Sequence, residues 1–173
     1  YILFCKGVSL MTTFSEKEKI QLLADIIELQ TENNNEIEVC HYLKNLFDKY
    51  DINSKILKVN EQRANIVAEI GSGSPILALS GHMDVVDAGN QDNWTYPPFQ
   101  LTEKDGKLYG RGTTDMKGGL MALVITLIEL KEQNQLPQGT IRLLATAGEE
   151  KEQEGAKLLA DKGYLDDVDG LMI

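Results

Sequence analysis

The chain has 173 residues, which is enough for one ordinary domain or for one domain and part of another. Apolar residues make up 42% and charged residues 25%, so the composition favours neither a disordered chain nor a coiled coil. The formal net charge of −10 argues against a surface that binds nucleic acid or an anionic membrane. The two cysteines, Cys5 and Cys40, belong to no repeated spacing, so we expect no disulfide framework and a cytoplasmic location.

Two amphipathic helices are predicted first along the chain. Ser15 and Glu18 have the spacing of a capping box, and the apolar residues of 20–29 recur at helical spacing. A second helical pattern covers 39–50. Residues 1–10 lack the features of a signal peptide, and no apolar stretch reaches membrane-spanning length. We expect residues 1–10 to be an upstream or added segment that contributes little to the fold.

Strands and helices then alternate. We predict strands over 56–59, 64–70 and 76–79, a helix over 120–130 that begins near Asp115, a strand over 141–145, a helix over 154–161 and a strand over 170–173. The run 76–79 is apolar throughout, as expected for a strand buried on both faces. Residues 85–110 are rich in loops with a turn at Asp105-Gly106, and a turn at Pro137 and Gly139 precedes the strand 141–145.

This alternation predicts an α/β domain with a central, largely parallel or mixed sheet and helices on both faces. In such sheets ligands bind beyond the carboxyl ends of the strands. Five polar residues fall just after predicted strands or at the start of a helix: His82, Asp84, Asp115, Glu149 and Glu150. We therefore expect them to meet at one site.

Three of these residues also have a simpler explanation. Asp115 could be the N-cap of the following helix, and Glu149-Glu150 could be a solvated turn. Their convergence with His82, in a chain with only two histidines, favours a site. Imidazole and carboxylates hold a divalent ion, while an unligated carboxylate takes a proton from water, so the set predicts metal-assisted hydrolysis. Asp84, two residues after His82, could hold the imidazole in one tautomer.

Other kinds of chemistry find less support. The chain has no G-x-S-x-G sequence, and Cys40 lies in an amphipathic helical pattern, where an inert buried thiol is expected. The glycine-rich segment 110–119 does not fit a phosphate-binding loop, because Lys117 is followed by Gly118. His41 has no potential ligands beside it, and we interpret it as a structural or surface histidine.

Three segments resemble the motifs of the dinuclear zinc peptidases and amidohydrolases, the group of acetylornithine deacetylase, succinyl-diaminopimelate desuccinylase, aminoacylase and carboxypeptidase G2. They are SGHMDVV at 80–86, YGRGTTDMKGG at 109–119 and AGEE at 147–150, in the family's order and spacing. The resemblance extends from Met11 to the end of the chain and is greatest to the succinyl-diaminopimelate desuccinylase branch. It implies an enzyme that cleaves the amide of a small N-acyl amino acid or dipeptide.

The resemblance also implies a role for each site residue. His82 would ligate one metal ion, Glu150 the other, and Asp115 would bridge both, with a cis peptide bond after Asp115. Asp84 would steady His82, and Glu149 would be the general base. The two ions would be Zn²⁺, although Co²⁺ and Mn²⁺ accept similar ligands.

Part of the family's pattern is missing from the chain. The resemblance implies a further carboxylate, a distant histidine and a lid domain through which relatives form homodimers. We therefore expect residues 11–173 to be the amino-terminal part of the catalytic domain of a longer enzyme, with weak metal binding and no useful activity by itself.

The substrate is left open within the family. N-succinyl-LL-diaminopimelate is the favoured substrate, which would place the enzyme in lysine biosynthesis, and N-acetylornithine, other N-acyl amino acids and dipeptides are the alternatives. Two further classes remain: a non-catalytic metal- or ligand-binding module, and a nucleotide-binding α/β domain that rests only on the segment 110–119. The presence of Glu149, which a binding module would not need, favours catalysis.

Overall fold

A computed structural model describes residues 13–136 and 138–173. It contains four α-helices: α1 Glu16–Glu28, α2 Glu36–Lys49, α3 Lys117–Glu132 and α4 Glu154–Asp161. The strands are β1 Asn53–Lys58, β2 Ala64–Ser72, β3 Ile76–His82, β4 Thr102–Lys104, β5 Lys107–Tyr109, β6 Gly139–Thr146 and β7 Gly170–Met172. The predicted upstream segment, residues 1–10, and Pro137 of the predicted turn lie outside the described residues.

The predicted helix start at Ser15 is confirmed. The Ser15 hydroxyl accepts a hydrogen bond from the Glu18 N–H at 3.3 Å, and the Glu18 carboxylate accepts one from the Ser15 N–H at 2.8 Å. Because these bonds satisfy backbone donors that a helix leaves free at its first turn, α1 begins directly after Ser15. Its buried side, which includes Ile26 and Ile27, faces the core.

Five strands form one mixed sheet in the order β1-β2-β6-β3-β7. The pairs β1–β2 and β2–β6 are antiparallel, whereas β3 runs parallel to both β6 and β7. The strands β4 and β5 form a separate hairpin that turns at Asp105 and Gly106, both with positive φ. The α/β class and the mixed sheet agree with the sequence prediction.

Helices cover both faces of the sheet. A large core on one face joins α1, α2 and α3 to the strands, and a smaller cluster on the other face joins Leu159 of α4 to residues such as Val67 and Leu144. The prediction that β3 is buried on both faces is wrong at Leu77, which is 44% exposed. Leu77 lies at the amino end of the strand, beyond the core that covers Leu79 on the same side.

The chain approaches α3 through a cis peptide bond between Asp115 and Met116, as the family resemblance implies. The N-cap position belongs to Met116, and no side chain caps this helix start. Asp115 is therefore not an N-cap, and its carboxylate is available for other contacts. Within the described ranges, no helix combines the length and hydrophobicity needed to cross a membrane.

Candidate metal centre

The parallel pairing of β3 with β6 brings the first and third motifs together. His82 is the register partner of Thr146, so both strands end at the same edge of the sheet. The residues that follow each strand, Asp84 on one side and Glu149-Glu150 on the other, then meet above that edge. This is the position where ligands bind in sheets with parallel strands.

His82 is held in one orientation by a backbone carbonyl. Its Nδ1 lies 2.9 Å from the carbonyl oxygen of Asp84. Because a carbonyl oxygen only accepts hydrogen bonds, this contact places a proton on Nδ1. In the neutral ring Nε2 then carries the lone pair, and it lies 3.0 Å from Asp115 Oδ1 and 3.8 Å from Glu149 Oε2.

Asp84 connects the two motifs through its carboxylate. Its two oxygens accept the backbone N–H groups of Glu149 at 3.1 Å and Glu150 at 3.0 Å. The carboxylate is 3.7 Å from His82 Nδ1, so the imidazole donates its hydrogen bond to the Asp84 backbone carbonyl and not to the Asp84 carboxylate. Asp84 is fully buried, and its side chain positions the loop that carries the two glutamates.

The side chains of His82, Glu149 and Glu150 each offer one ligand atom, and these atoms lie within 4.8 Å of one another. Asp115 completes the group through its contact with His82, and its side chain is 74% exposed. The structure thus brings together all five residues that the sequence singles out. An imidazole nitrogen with several carboxylate oxygens is a donor set that suits Zn²⁺ or a similar divalent ion.

The electrostatics of the group also fit a cation. Burial raises the pKa of Glu150, and the negative charges of Asp115, Glu149 and Asp84 raise it further, while His82 opposes them. Burial would lower the pKa of His82, but the hydrogen bond to Asp115 and the other contacts with acidic neighbours raise it overall. A bound divalent ion would offset the repulsion among these carboxylates.

Several buried polar residues behind the site were not found from the sequence. They are Glu36, Arg63, Asn65 and Lys117, each no more than 9% exposed. Asn65 could have been noticed, because it is a polar residue inside an otherwise apolar strand start. Nothing in the pattern around Glu36 or Arg63 distinguishes them from the solvated charges of an acidic chain.

The profile of Peptidase family M20/M25/M40 matches residues 78–173, more than half of the chain. The chain belongs to this family. The matched range contains all three motifs, and M20 family membership agrees with the resemblance found in the sequence.

A relative in Staphylococcus aureus (strain Mu50), named probable succinyl-diaminopimelate desuccinylase, is 94% identical over 163 residues, which are 94% of this chain and 41% of that protein. The chain spans about 40% of the length of the curated relatives that it matches.

Solved structures share the fold. Human carnosine dipeptidase 1 has a TM-score of 0.78 at 23% identity, with 90% of this chain and 37% of that chain covered. A dinuclear metal binding peptidase of the M20 family from Bacillus subtilis has a TM-score of 0.65 at 23% identity, with 90% and 41% covered. These likenesses support the M20 fold of the described residues.

Proposed function

We propose that the whole protein to which this chain belongs is a metal-dependent amide hydrolase that removes the succinyl group from N-succinyl-LL-diaminopimelate. The observation that carries the reaction class is the meeting of His82, Asp115, Glu149 and Glu150 at the ends of two parallel strands in an M20 family chain. The substrate is supported by the name of the 94% identical relative. Lysine biosynthesis is the pathway that this activity would serve.

Two divalent ions fit the donor set. His82 would hold one ion and Glu150 the other, with Asp115 between them, and Zn²⁺ suits this mixture of nitrogen and oxygen ligands. Co²⁺ and Mn²⁺ are the alternatives. The dinuclear site of the Bacillus subtilis relative supports the number of ions. When bound, such ions polarise the amide carbonyl and make water more acidic.

Glu149 would act as the general base and then as the general acid. Its carboxylate would accept a proton from the attacking water while the oxygen of that water joins the acyl carbon. The amide C–N bond then breaks, and Glu149 returns the proton to the leaving nitrogen, so the products are succinate and a free amine. The Asp84 carboxylate keeps the backbone of Glu149 and Glu150 in place throughout.

We also propose how this chain stands within the protein. Residues 11–173 would be the amino-terminal part of the catalytic domain, and a lid domain elsewhere in the protein would form a homodimer. The larger size of the relatives supports this arrangement. A cytoplasmic location would suit a biosynthetic enzyme with few cysteines.

The test is a side-by-side assay of the full-length protein loaded with Zn²⁺ or Co²⁺. The substrates are N-succinyl-LL-diaminopimelate, N-acetylornithine and a simple dipeptide. We expect the highest kcat/KM on the succinyl substrate. Activity on only one of the other two would keep the reaction class and reject the substrate. Bound metal without hydrolysis of any of them would reject the enzyme in favour of a metal-binding module.

A further inference from the structure

One buried side chain holds both ends of the loop that carries the two glutamates. We call residues 147–154 the carboxylate loop. Asn65 Oδ1 accepts the backbone N–H of Ala147 at 3.0 Å, and Asn65 Nδ2 donates to the carbonyl oxygen of Gly155 at 2.8 Å. The Gly155 N–H also donates to the Ala147 carbonyl at 3.1 Å, so the loop is closed at its base. Asn65 itself is fully buried.

Arg63 holds the same loop from the side. Its Nη1 donates to Glu154 Oε2 at 2.7 Å, and its Nη2 donates to the carbonyl oxygen of Asn33. The guanidinium also lies against Gly148, where an added Cβ would come within 2.9 Å of Nη1. Gly148 has a φ of +75°, so both its backbone conformation and the close guanidinium favour glycine. Arg63 thus forms an ion pair at the end of the carboxylate loop and lies against its start.

A buried carboxylate faces Arg63 from α2. Glu36 is fully buried, and its Oε2 lies 3.7 Å from Arg63 Nε. Within the described part of the chain, neither oxygen of this carboxylate has a hydrogen-bond partner. This carboxylate lies opposite the guanidinium, which is 11% exposed, in a region of low dielectric.

We infer that Arg63 and Asn65 are positioning residues that keep the carboxylate loop in its metal-binding conformation. The inference rests on the proposed function, because it assigns these residues a task in that reaction. Neither residue belongs to the three motifs. Asn65, in β2, acts through the backbone at the two ends of the loop. Arg63, directly before β2, acts through the Glu154 side chain and its packing against Gly148. Together they determine where the carboxylates of Glu149 and Glu150 stand relative to His82.

These contacts with the carboxylate loop are needed because the site brings negative charges together. Asp115, Glu149 and Glu150 repel one another before an ion is bound, and a loop free to move would separate them. Hydrogen bonds at the base of the loop prevent that movement without contacting the ion or the substrate. Metal affinity should therefore depend on Arg63 and Asn65.

The experiment compares Arg63→Met with Arg142→Met in the full-length protein. Arg142 is a matched control because it is also nearly buried and ion-paired, with Glu69 and Asp167, and it lies on the α4 face away from the metal ligands. Metal affinity is measured for Zn²⁺ alone, by competition with a chromogenic chelator, so that no turnover is required. Hydrogen exchange of the amides in 147–155 is followed in the metal-free protein.

We expect both substitutions to lower Tm. Only Arg63→Met should weaken Zn²⁺ binding, by about 10- to 100-fold, and speed up exchange in the carboxylate loop. Arg63→Lys keeps the positive charge but loses the planar guanidinium, which can donate hydrogen bonds in two directions. Its Zn²⁺ affinity should therefore lie between that of Arg63→Met and that of the unchanged protein. If Arg63→Met does not fold, Arg63→Lys and Asn65→Asp take its place, and Asn65→Asp sets a carboxylate oxygen against the Gly155 carbonyl.

The inference is overturned if the variants at 63 and 65 bind Zn²⁺ as tightly as the unchanged protein while losing as much Tm as Arg142→Met. This outcome is separate from failure of the proposed function. A protein that binds Zn²⁺ but hydrolyses none of the substrates would reject the function, and the affinity and exchange measurements would still decide the inference.

Discussion

At the scale of single residues, Glu149 and Glu150 share the same backbone support but differ in their surroundings. Both peptide N–H groups are held by Asp84, and both side chains reach the neighbourhood of His82. The Glu149 side chain is 49% exposed, whereas burial and acidic neighbours raise the pKa of Glu150. An exposed carboxylate can exchange protons with a substrate, and a crowded one gains most from a bound cation, which agrees with the proposed roles.

Glu149→Ala in the full-length protein should lower kcat by about 10²- to 10⁴-fold and leave the metal content nearly unchanged, because the proposed role of Glu149 is general base and not ligand. Asp115→Ala should lose both activity and metal. Metal content is measured by elemental analysis beside the kinetic assay. Glu152→Ala is the control, since Glu152 is an exposed glutamate in the same loop. Equal loss of metal from the variants at 149 and 115 would contradict the assignment of base and ligand.

A pH-dependent effect on stability is expected at Glu36. Burial raises the pKa of this carboxyl above its ordinary value of 4.5, Arg63 opposes the shift, and Asp84 adds to it. The negative charge of Glu36 in turn acts to raise the pKa of its buried neighbours Lys117 and Cys40. The folded protein therefore keeps the Glu36 proton to a higher pH than the unfolded chain does. Its stabilising contribution is fully present below pH 4.5 and is lost as the pH rises through the folded pKa.

Glu36→Gln removes this titration, because an amide does not ionise. The Tm of the variant minus that of the unchanged protein should therefore increase as the pH rises from 4.5 into the weakly acidic range. Thermal denaturation of both proteins in matched buffers measures the difference. A difference that stays constant or decreases over this range would show that the folded pKa of Glu36 is not raised.

At the scale of elements, a local sequence signal determines where α1 begins, while tertiary contacts hold its other end. The capping box at Ser15 starts α1 by itself. The other end of α1 depends on Lys117 at the start of α3, whose Nζ donates to the carbonyl oxygens of Ile26 at 2.8 Å and Leu29 at 2.7 Å. These contacts join α1 to the segment that carries Asp115.

Ser15→Ala should destabilise the protein by about 1 kcal/mol, because the Glu18 N–H loses its acceptor at the helix start. Urea denaturation gives the free energy of unfolding. Ser72→Ala, at an exposed position at the end of β2, is the control and should change stability by less than about 0.5 kcal/mol. Equal effects of the two substitutions would argue against the capping box as a source of stability.

At the scale of the whole molecule, the sheet separates a large core from a small one. The large core contains residues of α1, α2 and α3, and the small one depends on α4. Leu127 is fully buried in the large core, whereas Leu136, beyond the end of α3, is 40% exposed. The same substitution at these two positions therefore compares core packing with the surface.

Leu127→Ala should destabilise the protein by roughly 2–5 kcal/mol, because it leaves a cavity among close-packed side chains. Leu136→Ala should change the free energy of unfolding by less than about 0.5 kcal/mol. Chemical denaturation of both variants measures the two values. Similar losses would mean that the large core is not the main source of stability.

Much of this structure could be predicted from local patterns. The helices and the main strands were predicted from the capping box, the spacing of apolar residues and the short apolar runs. This works because the periods of helix and strand appear as the spacing of apolar residues within a short stretch of sequence. Leu77 shows where this reasoning fails: an apolar residue at the end of a strand is buried only if another element reaches that far.

The sequence by itself determined the α/β class, the family motifs and the residue types of the candidate site, since each of these depends on residues close together in the chain. Only the tertiary structure decided that the Asp84 carboxylate holds the backbone of Glu149 and Glu150, and that Arg63 and Asn65 hold the carboxylate loop. These contacts join residues more than 60 positions apart. Strand order, register and the burial of charge create them, and no local pattern records those three properties.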